Sequence, residues 1–159
     1  MHKIGRTVKR RRKQQKTDYK ARLGLLKSEK LRLIIRKSNK FVVMQIVESE
    51  IAQDKVLFSV TSKDLLKLGW PKEKEGSLKS LPACYLTGIL LGKKVKGKEV
   101  VLDLGLQRNI HKGRIYAALK GAIEGGIKIN FDEETLPSDE MLERNEKIKD
   151  IVKKIKEKI

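Results

Sequence analysis

The sequence predicts an α/β fold on a mixed sheet, with a basic arm before it and an amphipathic helix after it. Three patterns carry that expectation. Leu31, Leu33 and Ile35 alternate with Arg32, Ile34 and Arg36, the period of a strand with one largely apolar face, and two more strand-like runs follow closely. In the second half, helix-like and strand-like stretches alternate, which implies crossovers and parallel pairing. Charge supplies the third pattern: Lys and Arg total 38 against 20 acids, a net +18. Residues 1 to 40 hold 16 of those cations and only two acids, Asp18 and Glu29, so they carry +14 and the other 119 residues +4. That asymmetry describes a nearly neutral domain with a cationic extension. The expected organisation is a basic arm over 1–16, an α/β domain over 17–131, and a linker with a C-terminal amphipathic helix over 132–159.

From Met1 to Gln15 there is no apolar periodicity, so this segment is expected to order only against a partner. Thr17 suits an N-cap, with Asp18 in the first turn of a helix whose Tyr19, Leu23 and Leu26 share a face. Lys16, Lys20, Arg22 and Lys27 are then left for solvent or phosphate. The strand Leu31 to Arg36 is followed by a turn at Lys37-Ser38-Asn39-Lys40, a second strand from Phe41 to about Glu48, and a third from Val56 to Thr61. Ser62 offers a cap for a short helix ending at Gly69, with Trp70-Pro71 beyond it. After a polar loop, Pro82 suits the first turn of an apolar helix running to about Lys96. Glu99 to Leu104 reads as a fully buried strand of the parallel kind. Ile115, Ala118, Leu119, Ala122 and Ile123 give the next helix an apolar face that Gly125-Gly126 ends, and a short strand is expected over Ile127 to Phe131. Ser138 caps the last helix, with Met141, Ile148, Val152, Ile155 and Ile159 as its stripe and docking within the chain as its expected use.

Composition narrows the function. A large cationic excess attracts polyanions, so nucleic acid and anionic membrane are the candidate partners. One cysteine, Cys84, excludes an internal disulfide and fits a small core residue better than a nucleophile, and two histidines give no cluster at zinc-ligand spacing. The longest apolar stretch, Leu81 to Leu91, is about half a membrane span, and the basic start lacks the apolar segment of a secretory signal. The chain reads as soluble, cytoplasmic and free of metal, cofactor and small-molecule substrate. Membrane-surface binding usually adds an amphipathic face or acyl anchor, and residues 1 to 16 offer neither.

For RNA the candidate contacts follow from position. Arg6, Lys9, Arg10, Arg11, Arg12, Lys13 and Lys16 form a single-sign run suited to phosphates, with arginines adding planar, multidentate donors. The helix behind it adds Lys20, Arg22 and Tyr19, whose ring could stack on a base, although its helical spacing with Leu23 fits an anchoring role better. Arg36, Lys37 and Lys40, with Ser38 and Asn39 in the turn, lie at a hairpin tip that can project into a groove. His111 and Lys112 sit where a loop enters a helix and backbone N–H groups can meet a phosphate; for His111 a plain surface role is the better reading.

Several blocks in one order resemble the archaeal and eukaryotic form of the large-subunit ribosomal protein family L-eighteen. They are Arg10-Arg11-Arg12, Lys16-Thr17-Asp18-Tyr19, Leu25-Leu26-Lys27-Ser28, Arg36-Lys37-Ser38-Asn39-Lys40, Leu68-Gly69-Trp70, Pro82-Ala83, Tyr85-Leu86-Thr87-Gly88, Asp103-Leu104-Gly105-Leu106, Lys112-Gly113 and Ala117-Ala118-Leu119-Lys120-Gly121-Ala122. The likeness spans about Arg6 to Lys149. It implies a three-layer fold with helices on both faces of the sheet, similar to the ribonuclease H-like fold of translational machinery components. It also implies RNA contacts at Lys112, Gly113 and Arg114, binding of 5S rRNA, attachment to 23S rRNA, and a place in the central protuberance beside ribosomal protein L-five and its neighbours. Two departures are visible: the loop before Gly113-Arg114 is a residue shorter than the family's usual form, and Asn130-Phe131 stands where Pro-His is usual. Nuclease activity would need clustered carboxylates for two metal ions. Leu31 to Arg36 holds no acid, and Asp103 stands alone in its strand, where bonding a loop backbone is an equal use. No enzyme is expected; a structured-RNA-binding protein outside the ribosome is the alternative reading.

Overall fold

The computed structural model describes residues 7–51, 53–143 and 146–159. Strands β1 (Leu31–Lys37), β2 (Val42–Glu50) and β3 (Gln53–Thr61) form the expected antiparallel meander, and β4 (Val100–Asp103) joins β1 in parallel, giving the order β3-β2-β1-β4. Alternation sends Leu33 and Ile35 of β1, Met44 and Ile46 of β2, and Val60 of β3 into the core. The β1–β2 turn is fixed by one side chain. Ser38 Oγ accepts from the N–H groups of Lys40 (3.3 Å) and Phe41 (2.9 Å) and donates to the Phe41 carbonyl at 2.7 Å.

Two expectations about the second half change. The strand read as fully buried is an edge strand: Val100 and Asp103 are buried, but Val101 and Leu102 are half-buried because little covers the outer edge of the sheet. The strand expected over Ile127 to Phe131 shrinks to one parallel bridge between Glu99 and Lys128. Beyond it the chain turns away at Asp132, whose carboxylate accepts from Glu134 N–H and whose carbonyl accepts from the Thr135 hydroxyl.

The arm contains a single helical turn, α1 (Arg10–Lys13), where no structure was expected; it buries nothing. Helix α2 (Tyr19–Lys27) is capped by Asp18 and not by Thr17. The Asp18 carboxylate accepts from Lys20 N–H at 2.9 Å and Ala21 N–H at 3.1 Å, while Thr17 Oγ1 accepts from Arg11 Nε. Helix α3 (Asp64–Leu68) also lacks its expected cap. Ser62 is fully buried and its Oγ accepts from Val42 N–H, leaving Asp64 to bind back to Thr61. Gly69 ends α3 with φ +111, a left-handed geometry that favours glycine.

Helices α4 (Leu81–Lys94) and α5 (Arg114–Glu124) cover the core face of the sheet and cross at very short range. A Cβ added to Gly121 would lie 2.0 Å from the Tyr85 carbonyl oxygen, and one on Gly88 would lie 2.1 Å from that of Ala118. Gly92 and Gly125 meet the same way, so backbone touches backbone along the crossing. Helices α6 (Asp139–Glu143) and α7 (Glu146–Lys158) follow. Val152 and Ile155 of α7 are buried in the core, as the apolar stripe predicted, but at the start of the stripe Leu142 turns inward and Met141 is exposed. A polar triad adds to the dock: Tyr85 Oη donates to Glu124, and Lys156 Nζ donates to Tyr85 Oη at 2.8 Å and to Glu124 at 3.3 Å, joining α4, α5 and α7. Burial, with the Glu124 hydrogen bond, pushes the Tyr85 phenol up to about 12.

Overpacking so close a crossing must separate two helices. We expect Gly121→Ala to cost about 3 kcal/mol in urea unfolding. Gly24→Ala on α2, where a Cβ meets nothing within 4 Å, is expected to be neutral or to stabilise by up to about 1 kcal/mol.

Candidate nucleic-acid interface

The face of the sheet opposite α4 and α5 is organised around one buried arginine. Arg32 is 1% exposed and alternation turns it away from the core; its Nη1 donates to Asp103 Oδ2 at 2.8 Å, and its Nη2 donates to Asp54 Oδ1 at 2.6 Å and Ser49 Oγ at 2.7 Å. Asp54 accepts from both terminal nitrogens of Arg22, each at 3.0 Å, which holds α2 over this face. Asp103 Oδ1 accepts from Arg36 Nη2 and from Gly105 N–H, both at 2.9 Å, so the carboxylate bonds the loop backbone as well as two arginines. Burial alone would raise the Asp54 carboxyl, but hydrogen bonds from Arg22, Ser49 and Arg32 outweigh it and hold the group at about 2.

These bonds give two of the expected RNA contacts internal partners. Arg22 was expected to be available to phosphate and Arg36 to stand at the hairpin tip. Arg22 is instead engaged with Asp54, and Arg36 lies behind the tip, donating to the Asp103 carbonyl at 2.7 Å as well as to its carboxylate. Only their outer edges face solvent. Leu23, expected on the apolar face of α2, is 55% exposed, because Arg22, Leu25 and Leu26 are the residues that turn toward the sheet.

The other candidates are mostly on the surface. Lys9, Arg10, Arg11, Arg12, Lys13, Lys16 and Lys20 are all exposed, while Arg6 lies outside the described residues. Tyr19 is half-buried, with the Lys9 ammonium 4.5 Å from its ring centroid, so one face of the ring is already engaged by a cation. Arg12, Gln15, Tyr19, Lys20 and Leu106 line a cleft of about 530 Å³. At the β1–β2 tip Lys37, Asn39 and Lys40 are exposed, and the Ser38 side chain is occupied by its turn.

The loop from β4 to α5 links these two regions. Its Leu106 reaches the arm cleft, and Gln107 Nε2 donates to the Lys37 carbonyl at 3.3 Å. Lys112 and Arg114 are exposed, but the backbone donors expected there to meet phosphate are taken: Lys112 N–H donates to the Thr135 carbonyl at 2.8 Å and Gly113 N–H to that of Ile110 at 3.1 Å. Lys112 has φ +57, and a Cβ on Gly113 would sit 2.8 Å from the Ile110 oxygen, so the loop is tightly constrained. His111 is exposed and meets Tyr116 edge-on at 5.7 Å, a surface role. Arg108, which the sequence did not single out, is exposed after the carboxyl end of a parallel strand, a position where α/β sheets commonly bind ligands.

Among the described residues no group of His, Cys, Asp and Glu could hold a metal ion, and no helix is long and apolar enough to cross a membrane. Burial pushes the Cys84 thiol up to about 12.

An α/β domain that exposes cations on its arm, on the loop after β4 and at the hairpin tip defines a class: a basic protein suited to binding polyanions. The family described as ribosomal large subunit proteins 60S L5 and 50S L18 matches residues 5–99. Large ribosomal subunit protein uL18 of Methanoregula boonei is 38% identical over 157 residues, 93% of this chain and 88% of the relative. The same protein of Methanospirillum hungatei is 41% identical over 134 residues, 82% and 74% of the two chains, and that of Korarchaeum cryptofilum 39% over 151, 93% and 75%. The chain belongs to the L18 family of large-subunit ribosomal proteins.

Because Asp54 is held below its ordinary 3.8, its contribution is present above that value and is lost as pH falls toward 2. We expect Asp54→Asn to be less stable than wild type by about 2 kcal/mol at neutral pH, with the gap closing between about pH 5 and 2 in denaturant titrations. Cys84 should react with a thiol reagent only on unfolding, so its labelling rate should follow the denaturant transition.

Proposed function

We propose that this chain is a structural constituent of the large ribosomal subunit that binds 5S rRNA and helps attach it to 23S rRNA in the central protuberance, beside ribosomal protein L-five. Within the cytoplasmic ribosome it acts as a clamp and spacer. The observation that carries the reading is the set of exposed cations on a chain of this family: arm, α2, β4–α5 loop and β1–β2 tip all present lysine or arginine on an α/β base.

The division of labour follows from the geometry. Arm cations supply affinity by releasing counterions from RNA phosphates, a contribution that salt weakens. Hairpin tip and loop are held by Ser38, Gln107 and the Lys112 turn, so they can select RNA shape at little ordering cost. Catalysis has no foothold at Asp103, whose two oxygens are occupied by Arg32, Arg36 and Gly105 N–H.

Removing residues 1–16 tests the assignment. Residues 7–16 bury no side chain, so the truncated domain should fold and keep its thermal transition. Its binding to 5S rRNA should weaken strongly, with the slope of log K against log salt shallower by about 3 to 6. Undiminished binding by the folded truncation would refute the arm's role.

A further inference from the structure

Three cations from three separate segments meet beside the hairpin tip. Lys37 ends β1, Arg108 lies in the β4–α5 loop, and Arg114 opens α5; with Ile110, Gly113 and Ile115 they line a notch of about 190 Å³. No acid lines it, and among the described residues none of the three cations has an ion pair or a side-chain hydrogen bond. Elsewhere on this molecule converging arginines are paired with acids: Arg22, Arg32 and Arg36 share Asp54 and Asp103. Like charges held together without a counterion raise the free energy of the folded chain, so an anion bound among them relieves that repulsion.

The convergence is built by the backbone. Gln107 ties the loop to the Lys37 carbonyl, Lys112 takes a left-handed turn fixed by the Thr135 carbonyl, and Gly113 has no room for a Cβ. Ile110 and Ile115 give the notch apolar walls, which concentrate the field of the cations. The buried Cys84 thiol lies within the field of both Arg114 and Lys37, each of which lowers its pKa against the larger effect of burial.

We propose that this notch grips a phosphodiester of the RNA backbone, with Arg108 as its central donor, forming an anchor separate from the arm. The inference rests on the RNA-binding reading and deepens it by naming the chemical group that the tip and loop hold and the residue that grips it. The notch has about a third of the volume of the arm cleft, a size suited to a phosphate group. The guanidinium of Arg108 supplies planar paired donors matched to two phosphate oxygens, with Lys37 and Arg114 adding charge from the same lining.

The test uses the full chain and 5S rRNA across a salt series. Arg108 is exposed and unpaired, so Arg108→Ala should unfold at the wild-type temperature. It should bind roughly tenfold more weakly, with a salt slope shallower by about 1. Arg108→Lys should restore the slope and only part of the affinity, because the charge returns without the planar donors. Lys67→Ala, an exposed cation on α3, should change neither. If wild type binds and Arg108→Ala leaves affinity and slope unchanged, the anchor is overturned while the RNA-binding reading stands. An equal loss from Lys67→Ala would also overturn it, since general attraction would then account for the effect. Failure of wild type to bind 5S rRNA would overturn the reading beneath it.

Discussion

The face of the sheet opposite α4 and α5 depends on the buried guanidinium of Arg32. It lies on a strand, 1% exposed, and draws Asp54, Ser49 and Asp103 to itself. Through those groups it orients Arg22 on α2, Arg36 on β1 and Gly105 in the loop after β4. A buried charge is costly unless its partners are well placed, so removing one partner leaves the others uncompensated. The network therefore specifies where α2 and the loop sit more than it adds stability. Hydrophobic burial under α4 and α5 supplies the stability on the other face, and the sheet divides the two tasks.

Much of this fold was legible because period and punctuation are local. Alternation at Leu31 to Arg36, the Ser38 turn, Gly69 after α3 and the glycine pair after α5 all act within a few residues. What escaped depended on distance in space. Asp18 displaced Thr17 as cap because Thr17 was taken by Arg11, and Ser62 lost its capping role to the backbone of Val42, 20 residues away in sequence. The partial exposure of β4 follows from its edge position, which a run of Val and Leu does not encode.

The candidate site divides the same way. Arm lysines and arginines were visible as a single-sign run, because nothing in their own segment opposes them. Arg22 and Arg36 looked equivalent to those residues, yet Asp54 and Asp103, 32 and 67 residues away in sequence, claim them. Charge counted along a chain does not separate cations spent on internal acids from cations left for a partner. Arg108 shows the converse: a solitary arginine in sequence stands beside Lys37 and Arg114 once the sheet pairs β1 with β4.

The single turn at Arg10–Lys13 bears on how the arm can engage a folded RNA. Successive residues of an α-helix diverge by about 100° around its axis. Arg10, Arg11, Arg12 and Lys13 therefore radiate in four directions, and no single row of phosphates can meet them all. A segment of this shape spreads its charge around an axis and does not present it along one face.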